Sequence, residues 1–168
     1  PTVGDLCHLM MAISDNTATN MLIDRLGMAE INATMRELGM ADSRLGRPMR
    51  GRPRHADEEE NWAVPDEYAT LTAAILEGRA ASPASCAAMV AVLERQTNPR
   101  RIARHLPTGA AAPRWGSKTG SLGGVCNDVG FIMTPAGPLV LSVFCEIADP
   151  HAGEAAIGAV ARAALSCV

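Results

Sequence analysis

The feature that most constrains the fold is a change in the spacing of apolar residues near residue 112. Before it, apolar side chains recur every three or four positions, which is the period of amphipathic helices. After it, they form short β-like runs separated by turns of glycine and proline, which predict an antiparallel meander. The three predicted strands cover 113–119, 126–134 and 138–147, and an alanine-rich helix over 152–166 closes the chain.

The helical part begins with a capping box, since Thr2 is followed three residues later by Asp5. Prolines mark predicted helix starts and glycines mark predicted helix ends. The predicted helices are 3–12, a second ending at Gly27, a third ending before Gly39, a fourth from Pro65 to Gly78 and a fifth from Pro83 through Leu93, with one more turn within 98–106. The sequence thus predicts an α+β fold, with a mainly helical subdomain, 1–110, and a second subdomain, 111–168, that holds the strands and the last helix.

A candidate binding site lies at the end of the first predicted strand, where Lys118, Thr119, Gly120 and Ser121 follow one another. The ammonium supplies positive charge, and the hydroxyls and backbone N–H groups supply directed hydrogen bonds. The glycine lets a ligand approach the backbone closely. These four residues are suited to binding an anion, although a solvent-exposed turn is the alternative interpretation of so short a motif.

A second motif, Ser14-Asp15-Asn16, interrupts the helical pattern between the first two predicted helices. Either Ser14 or Asn16 fits the role of a helix N-cap. A Ser-Asp-Asn motif with a later Lys-Thr-Gly motif is also the combination found in class A β-lactamases and penicillin-binding proteins. The chain resembles this family around both motifs, over 14–27 and 118–146, and in its closing helix.

The resemblance implies a β-lactamase/transpeptidase-like fold and a serine hydrolase that opens the amide of β-lactams through an acyl-enzyme. In that case Ser14 relays a proton to the leaving nitrogen, and Asn16 binds the side-chain amide of the substrate. Lys118 attracts the substrate carboxylate and assists proton movement through Ser14. Thr119 and Ser121 bind that carboxylate, and the Ser121 N–H forms half of the oxyanion hole.

The family's nucleophile is missing from the sequence. It is the serine of a Ser-x-x-Lys motif, in which one helical turn places a lysine amine beside the hydroxyl. No serine of this chain has a lysine three positions later. The resemblance leads us to expect that a segment with two strands and the nucleophile helix precedes Pro1. Strand 138–147 would then pair with that segment or, without it, with a second copy of the chain.

The stretch 40–64 takes the place of the family's omega loop and departs from it at the glutamate that drives deacylation. An alignment running back from Pro65 puts Met49 at that position. The acidic rivals are Asp57, which has Asn61 four residues later, and the adjacent Glu58, Glu59 and Glu60. Both assignments stay open at this point. Without the base, an acyl-enzyme would hydrolyse slowly.

A second departure concerns the substrate carboxylate. The family pattern has an arginine on the strand after Ser121, where this chain has Cys126 and Asn127. Carboxylate binding is therefore expected to depend on Lys118, Thr119 and Ser121.

Composition excludes several other kinds of protein. A hydrophobic content of 48% and a net charge of −3 indicate a globular chain and argue against a nucleic-acid partner. The basic residues of 44–54 and the acidic residues that follow are expected to pair locally. No apolar run approaches the roughly 20 residues that span a bilayer. The four histidines lack metal-ligand spacing, so no metal is predicted, and no cofactor is implied.

The five cysteines lack C-x-x-C spacing and are predicted to be small core residues. Cys7 stands where related β-lactamases often carry half of a disulfide, and its partner would lie outside this chain. The resemblance alone implies secretion or a periplasmic location.

Three functions follow from these observations. The first is a class A β-lactamase-like hydrolase that acts on a β-lactam or a related small-molecule amide or ester. The second is an inactive module that keeps the carboxylate-binding edge and serves in penicillin binding or protein interaction. The third is an esterase or peptidase of the same fold with poor deacylation. A Ser-x-x-Lys motif encoded upstream of Pro1 would separate the enzymes from the inactive module.

Overall fold

A computed structural model describes residues 1–52 and 54–168. In these residues, five α-helices precede a three-stranded sheet and a sixth helix follows it, which confirms the predicted α+β fold. The elements are α1 (Val3–Ala12), α2 (Asn16–Leu26), α3 (Met28–Glu37), α4 (Pro65–Leu76), α5 (Pro83–Leu93), a short 3₁₀ helix (Gly109–Ala111), β1 (Trp115–Leu122), β2 (Val125–Thr134), β3 (Gly137–Glu146) and α6 (Pro150–Leu165).

The helix ends follow from local sequence. The Thr2 hydroxyl accepts the Asp5 N–H at 3.2 Å, and the Asp5 carboxylate accepts the Thr2 N–H at 2.7 Å, which confirms the capping box. Gly27 ends α2 by donating its N–H to the carbonyl of Ile23, and Pro65 occupies the first turn of α4. The further turn expected within 98–106 is present as a series of turns without an α-helix.

The sheet is antiparallel in the order β1-β2-β3, so β1 and β3 are its two edges. The first strand differs from its predicted limits, because it starts at Trp115 and continues to Leu122. Gly120 and Ser121 pair with Asn127 and Cys126 of β2, and the strand therefore extends to the tight turn at 123–124. The candidate anion-binding motif lies inside a strand and not at its end.

Both faces of the sheet are covered by helices. Helix α6 packs on one face over a buried apolar cluster made of Ile102, Cys126, Ile132, Leu141, Ile157 and Ala161. Helices α4 and α5 pack on the other face, where the rings of Tyr68 and Phe144 lie 6.0 Å apart. A Cβ on Gly116 would lie 2.8 Å from the backbone nitrogen of Glu94. Glycine is needed there to let the end of α5 approach β1, and this contact fixes β1 two residues before Lys118.

Helices α1 and α2 form a second small core from Leu6, Ala18 and Leu22. Helix α1 also packs on α5, and the Thr97 hydroxyl donates to the carbonyl of Ala12 at 3.4 Å. These contacts place the α1–α2 junction next to β1. The division of the chain into subdomains 1–110 and 111–168 stays a prediction.

Residues 44–62, here called the charged loop, are closed at their base by a two-residue β-bridge between Arg44 and Trp62. The predicted local pairing of charges is confirmed, with ion pairs Arg44–Glu59, Arg47–Glu60 at 3.0 Å and Arg52–Glu58 at 2.8 Å. Across the described part of the chain, no helix combines the length and the hydropathy that a membrane crossing requires.

Candidate functional site

The site is centred on a contact between the two sequence motifs. The Nζ of Lys118, the only lysine of the chain, donates to the Oγ of Ser14 at 2.9 Å and to the Thr119 carbonyl at 2.5 Å. Lys118 lies in β1, and Ser14 lies at the junction of α1 and α2. The fold therefore brings together two residues that the sequence separates by 104 positions.

The backbone at the α1–α2 junction directs the Ser14 side chain. Ser14 has φ 60°, in the left-handed region that costs a residue with a side chain free energy. Asp15 caps α2 by accepting the Ala18 N–H at 2.6 Å, and its own N–H donates to the carbonyl of Leu9. The expectation that Ser14 or Asn16 is the N-cap is wrong, because Asp15 has that role. The Ser14 hydroxyl meets Lys118 instead.

The binding edge of β1 is supported from behind by Arg101, a residue that sequence reasoning missed. Its Nη2 donates to the Oγ of Ser121 at 2.5 Å, and its Nη1 donates to the carbonyls of Gly120 at 2.8 Å and Asn127 at 2.5 Å. Strand β2, which follows Ser121, has no arginine, as the sequence shows. A guanidinium does reach Ser121, but it comes from a turn 20 residues upstream.

Arg101 is buried, with 4% of its surface exposed. Its Nε lies 3.7 Å from an oxygen of Glu154 on α6, which is also buried, and Glu154 also pairs with Arg100 and contacts Asn98. Buried ions need charge partners because of the cost of leaving water. Glu154 is the partner that makes a buried guanidinium tolerable behind β1. In the sequence, the only signal is an arginine directly before the apolar pair Ile102-Ala103.

Asp128 of β2 is a second buried ion behind β1, directly opposite Thr119 in the ladder. Burial raises the pKa of Asp128 to about 6, although the Ile102 N–H, which donates to Oδ2 at 3.1 Å, opposes the rise. The buried hydroxyl of Ser117 acts in the same direction as the Ile102 N–H and also opposes the rise in the pKa of Asp128. The space behind the motif therefore contains both a fixed cation and a carboxyl that titrates near neutrality.

The same surroundings act on Lys118. Burial lowers its pKa to about 8, a change that the nearby Asp128 opposes and that Arg101 reinforces. An amine with a pKa near 8 remains mostly protonated at pH 7, and it changes protonation state more readily than an exposed lysine does. Such a group can hold an anion and also assist proton movement through the Ser14 hydroxyl.

Met49 occupies the position that the alignment assigned to the deacylating glutamate. The Asn20 side chain clamps its backbone, since Nδ2 donates to the Met49 carbonyl and Oδ1 accepts the Met49 N–H, both at 2.8 Å. Two of the acidic rivals, Glu58 and Glu60, have other partners. Glu58 and Glu60 accept hydrogen bonds from Arg52 and Arg47, respectively, and the Arg52 contact is the main reason why the pKa of Glu58 falls to about 2.

A cleft of about 710 Å³ lies between the charged loop and the sheet. Asn16 and Ser121 line it, as do Met49, Arg50 and Asn127. The predicted residues thus form two groups: Ser14 touches Lys118, whereas Asn16 and Ser121 face a shared cleft. Volumes of this size suit a small molecule.

Neither a disulfide nor a metal-ligand cluster is present in 1–52 and 54–168. All five cysteines are free thiols there, including Cys7, and no three His, Cys, Asp or Glu side chains are grouped to hold an ion. The predicted core role fits Cys86 and Cys126, which are buried, while Cys167 is exposed.

The chain is similar to known proteins over its whole length. The model of the "Beta-lactamase enzyme family" matches residues 1–168. Beta-lactamase FAR-1 of Nocardia farcinica is 33% identical over 159 residues, which are 90% of this chain and 49% of that protein. A carbapenem-hydrolyzing beta-lactamase KPC of Klebsiella oxytoca is 29% identical over 98% of this chain and 58% of its own length. The chain thus spans about half the length of these relatives.

Solved structures show the same fold. A beta-lactamase from Sphaerobacter thermophilus is 58% identical with a TM-score of 0.94, and the match covers 99% of this chain and 63% of that one. PBP-A is 30% identical with a TM-score of 0.83, over 100% of this chain and 63% of its own. A variant of PBP-A has been captured as an acyl-enzyme complex with penicillin G.

Proposed function

Because the chain belongs to the beta-lactamase enzyme family, we propose that it forms the larger part of the site of a class A β-lactamase-like serine hydrolase, whose nucleophile lies outside these 168 residues. The observation that carries the proposal is the hydrogen bond from Lys118 to Ser14 at 2.9 Å. It joins an ammonium to a hydroxyl, and Ser14 lies two residues before Asn16, which lines the cleft. A positioned ammonium and hydroxyl are suited to acyl transfer.

Each residue has a defined role in the proposed reaction. The nucleophilic hydroxyl gives up its proton to a base and forms a bond to the lactam carbon, and the carbon–nitrogen bond breaks. The nitrogen receives the proton through the hydroxyl of Ser14, while Lys118 keeps that hydroxyl oriented and supplies positive charge. The backbone N–H of Ser121 stabilises the oxyanion, and Asn16 binds the substrate's side-chain amide.

The β-lactam carboxylate binds along β1. Thr119 and Ser121 offer hydroxyls, and Gly120 leaves the backbone accessible. Arg101 adds a charge behind Ser121, with 2.5 Å between its Nη2 and the Ser121 Oγ. This support is the counterpart of the arginine that the sequence lacks on β2. The anion-binding edge therefore has one cation on each side of the strand, Lys118 and Arg101.

The test is the intact mass of the protein produced from its complete gene, before and after excess benzylpenicillin. A mass gain of one penicillin is expected, and the Lys118→Met variant should acquire it at least tenfold more slowly. The rate should also fall as pH rises through about 8, since Lys118 loses its charge there. A folded protein that gains no mass would favour the inactive binding module.

Met49 supports a second candidate, a penicillin-binding esterase or peptidase with poor deacylation. Asn20 holds both the carbonyl and the N–H of Met49, which fixes the backbone at this position. The Met49 side chain has no basic atom, and it occupies the place where the family's base is expected. The adduct with benzylpenicillin should then persist for many minutes. Met49→Glu should shorten its lifetime at least tenfold. An adduct that wild type clears within seconds would count against this candidate.

Two further proposals concern location and association. The family suggests export from the cytoplasm, and fractionation of cells that express the complete gene tests it. Strand β3 is an edge of the sheet, and unpaired edges promote association. The 168 residues produced alone should self-associate through β3. A single monomeric mass in light scattering across a tenfold concentration range would contradict this.

A further inference from the structure

Arg50 is held in the cleft between two fixed neighbours. Met49 is clamped by Asn20, and Gly51 has φ 63°, a conformation that glycine adopts without strain. Gly51 also approaches Asn16 so closely that a Cβ there would lie 3.4 Å from the Asn16 Nδ2. Arg50 therefore projects from a backbone that is anchored to α2, and its side chain lines the cleft that Asn16 and Ser121 also line.

The charge of Arg50 is only weakly compensated. Its nearest carboxylate is Glu58, with 3.8 Å between Arg50 Nη1 and Glu58 Oε1. Glu58 already accepts two hydrogen bonds from Arg52 at 2.8 Å and the His55 N–H at 2.9 Å. The Glu58 carboxylate thus faces the guanidiniums of both Arg50 and Arg52, and its hydrogen bonds are made with the closer one, Arg52. The Arg50 side chain is 51% exposed, so its guanidinium remains available to a ligand in the cleft.

The other charges of the cleft do not cancel that of Arg50. Arg47 is paired with Glu60 at 3.0 Å, and the pair has no net charge. Glu146 lies at the end of β3, across the cleft from the charged loop, and is exposed to solvent. The side of the cleft next to Asn16 is therefore positive.

We propose that Arg50 determines substrate specificity by binding a carboxylate on the acyl side chain of the substrate. The preferred substrates then carry two anions, one held along β1 and one held by Arg50 beside Asn16. This inference rests on the proposed function, since it assigns a substrate class to the same site. Arg50 forms a charge-assisted hydrogen bond with the second anion and has no contact with the bond that breaks.

Two penicillins that differ by one carboxylate provide the test: α-carboxybenzylpenicillin and benzylpenicillin. The second-order rate of acylation is measured for both by intact mass, with the protein from its complete gene. Wild type should favour the carboxylated compound, and Arg50→Gln should lower the ratio of the two rates about tenfold. Arg50→Glu should lower it further, and added salt should reduce the wild-type ratio.

Arg54→Gln is the matched control, because it removes the same charge from the same loop. Arg54 donates to the carbonyls of His55, Ala56 and Glu58 and lies outside the residues lining the cleft. Its ratio should stay within twofold of wild type. If both compounds acylate wild type and the ratio of their rates is the same in Arg50→Gln as in wild type, this inference is overturned and the proposed function is not. A protein that neither compound acylates overturns the proposed function and this inference together.

Discussion

The charged loop and the space behind β1 both combine arginines with carboxylates, but they shift those carboxylates in opposite directions. In the loop, hydrogen bonds from Arg52 bring the pKa of Glu58 down to about 2. Behind β1, burial raises the pKa of Asp128 to about 6 although Arg101 is nearby. Pairing dominates where water can still reach the ions, and desolvation dominates where it cannot.

The comparison shows what each network contributes. In the charged loop, the ion pairs remain in contact with solvent. Each pair therefore adds little to the free energy of unfolding, but it fixes the course of the loop. The buried network holds its ions away from water at a cost in free energy, and it places Arg101 against Ser121. The site thus depends on a buried network that lowers the stability of the fold and on a charged loop whose ion pairs have little effect on stability.

The largest expected effect comes from Arg101→Met. The change removes three hydrogen bonds to β1 and β2 and takes a buried partner from Glu154, so it should lower the free energy of unfolding by about 3 kcal/mol. Urea denaturation measures it. Arg100→Met is the control, because Arg100 binds the same carboxylate from a side chain that is 64% exposed, and its effect should stay below about 1 kcal/mol. Equal losses would contradict the distinction.

The next effect is a pH dependence. Asp128 has a higher pKa folded than unfolded, so the folded protein binds more protons between about pH 4 and pH 6. The contribution of Asp128 to the free energy of unfolding therefore falls as pH rises through that window. Relative to Asp128→Asn, wild type should lose about 2 kcal/mol of unfolding free energy between pH 4 and pH 6.5. A curve for Asp128→Asn that runs parallel to the wild-type curve would refute the prediction.

A smaller effect should follow from Arg47→Met in the charged loop. Arg47 is buried and holds Glu60 and the carbonyl of Arg52. Its loss should free the loop without unfolding the protein, raising proteolytic cleavage within 44–62 about tenfold. Arg44→Met breaks an exposed pair in the same loop and should change cleavage less than twofold. Cleavage that rises only in step with global unfolding would show that the loop is not a separate unit.

The smallest effect concerns Glu58. Its folded pKa lies below the unfolded value, so the stabilisation it gives is present above about pH 4.5 and is lost as pH falls toward 2. The amide proton of His55 donates to Glu58 Oε2 and reports on this ionisation. In NMR spectra its shift should titrate with a midpoint near 2, and Glu58→Gln should remove the transition. A midpoint near 4.5 would mean that Arg52 has little influence on the carboxylate.

The sequence predicted those parts that depend on neighbouring residues. The capping box at Thr2, the end of α2 at Gly27 and the three antiparallel strands follow from local patterns, and the structure has them. The strand limits were less accurate, because the extent of β1 is set by its pairing with β2. Local pattern contains no information on that register.

The residues of the site were predictable where they belong to a sequence motif and were missed where only the fold brings them to the site. Lys118 and Ser14 were identified from motifs, and the fold brings them into contact. Arg101 was missed because its contacts with Gly120 and Ser121 form only in the folded chain. No motif or fixed spacing in the sequence indicates them. Asp128 was missed because its shifted pKa arises from burial, which depends on how α6 and the 98–106 turns cover β2.

The contact between Lys118 and Ser14 also has a consequence for folding kinetics. It closes a loop of 104 positions, and the entropy of closing so long a loop must be overcome before the contact forms. Neither partner belongs to a unit that can present it alone, since one lies at a helix junction and the other in a strand. On refolding, the contact between Lys118 and Ser14 should therefore form in the slowest phase, after the helical signal has recovered.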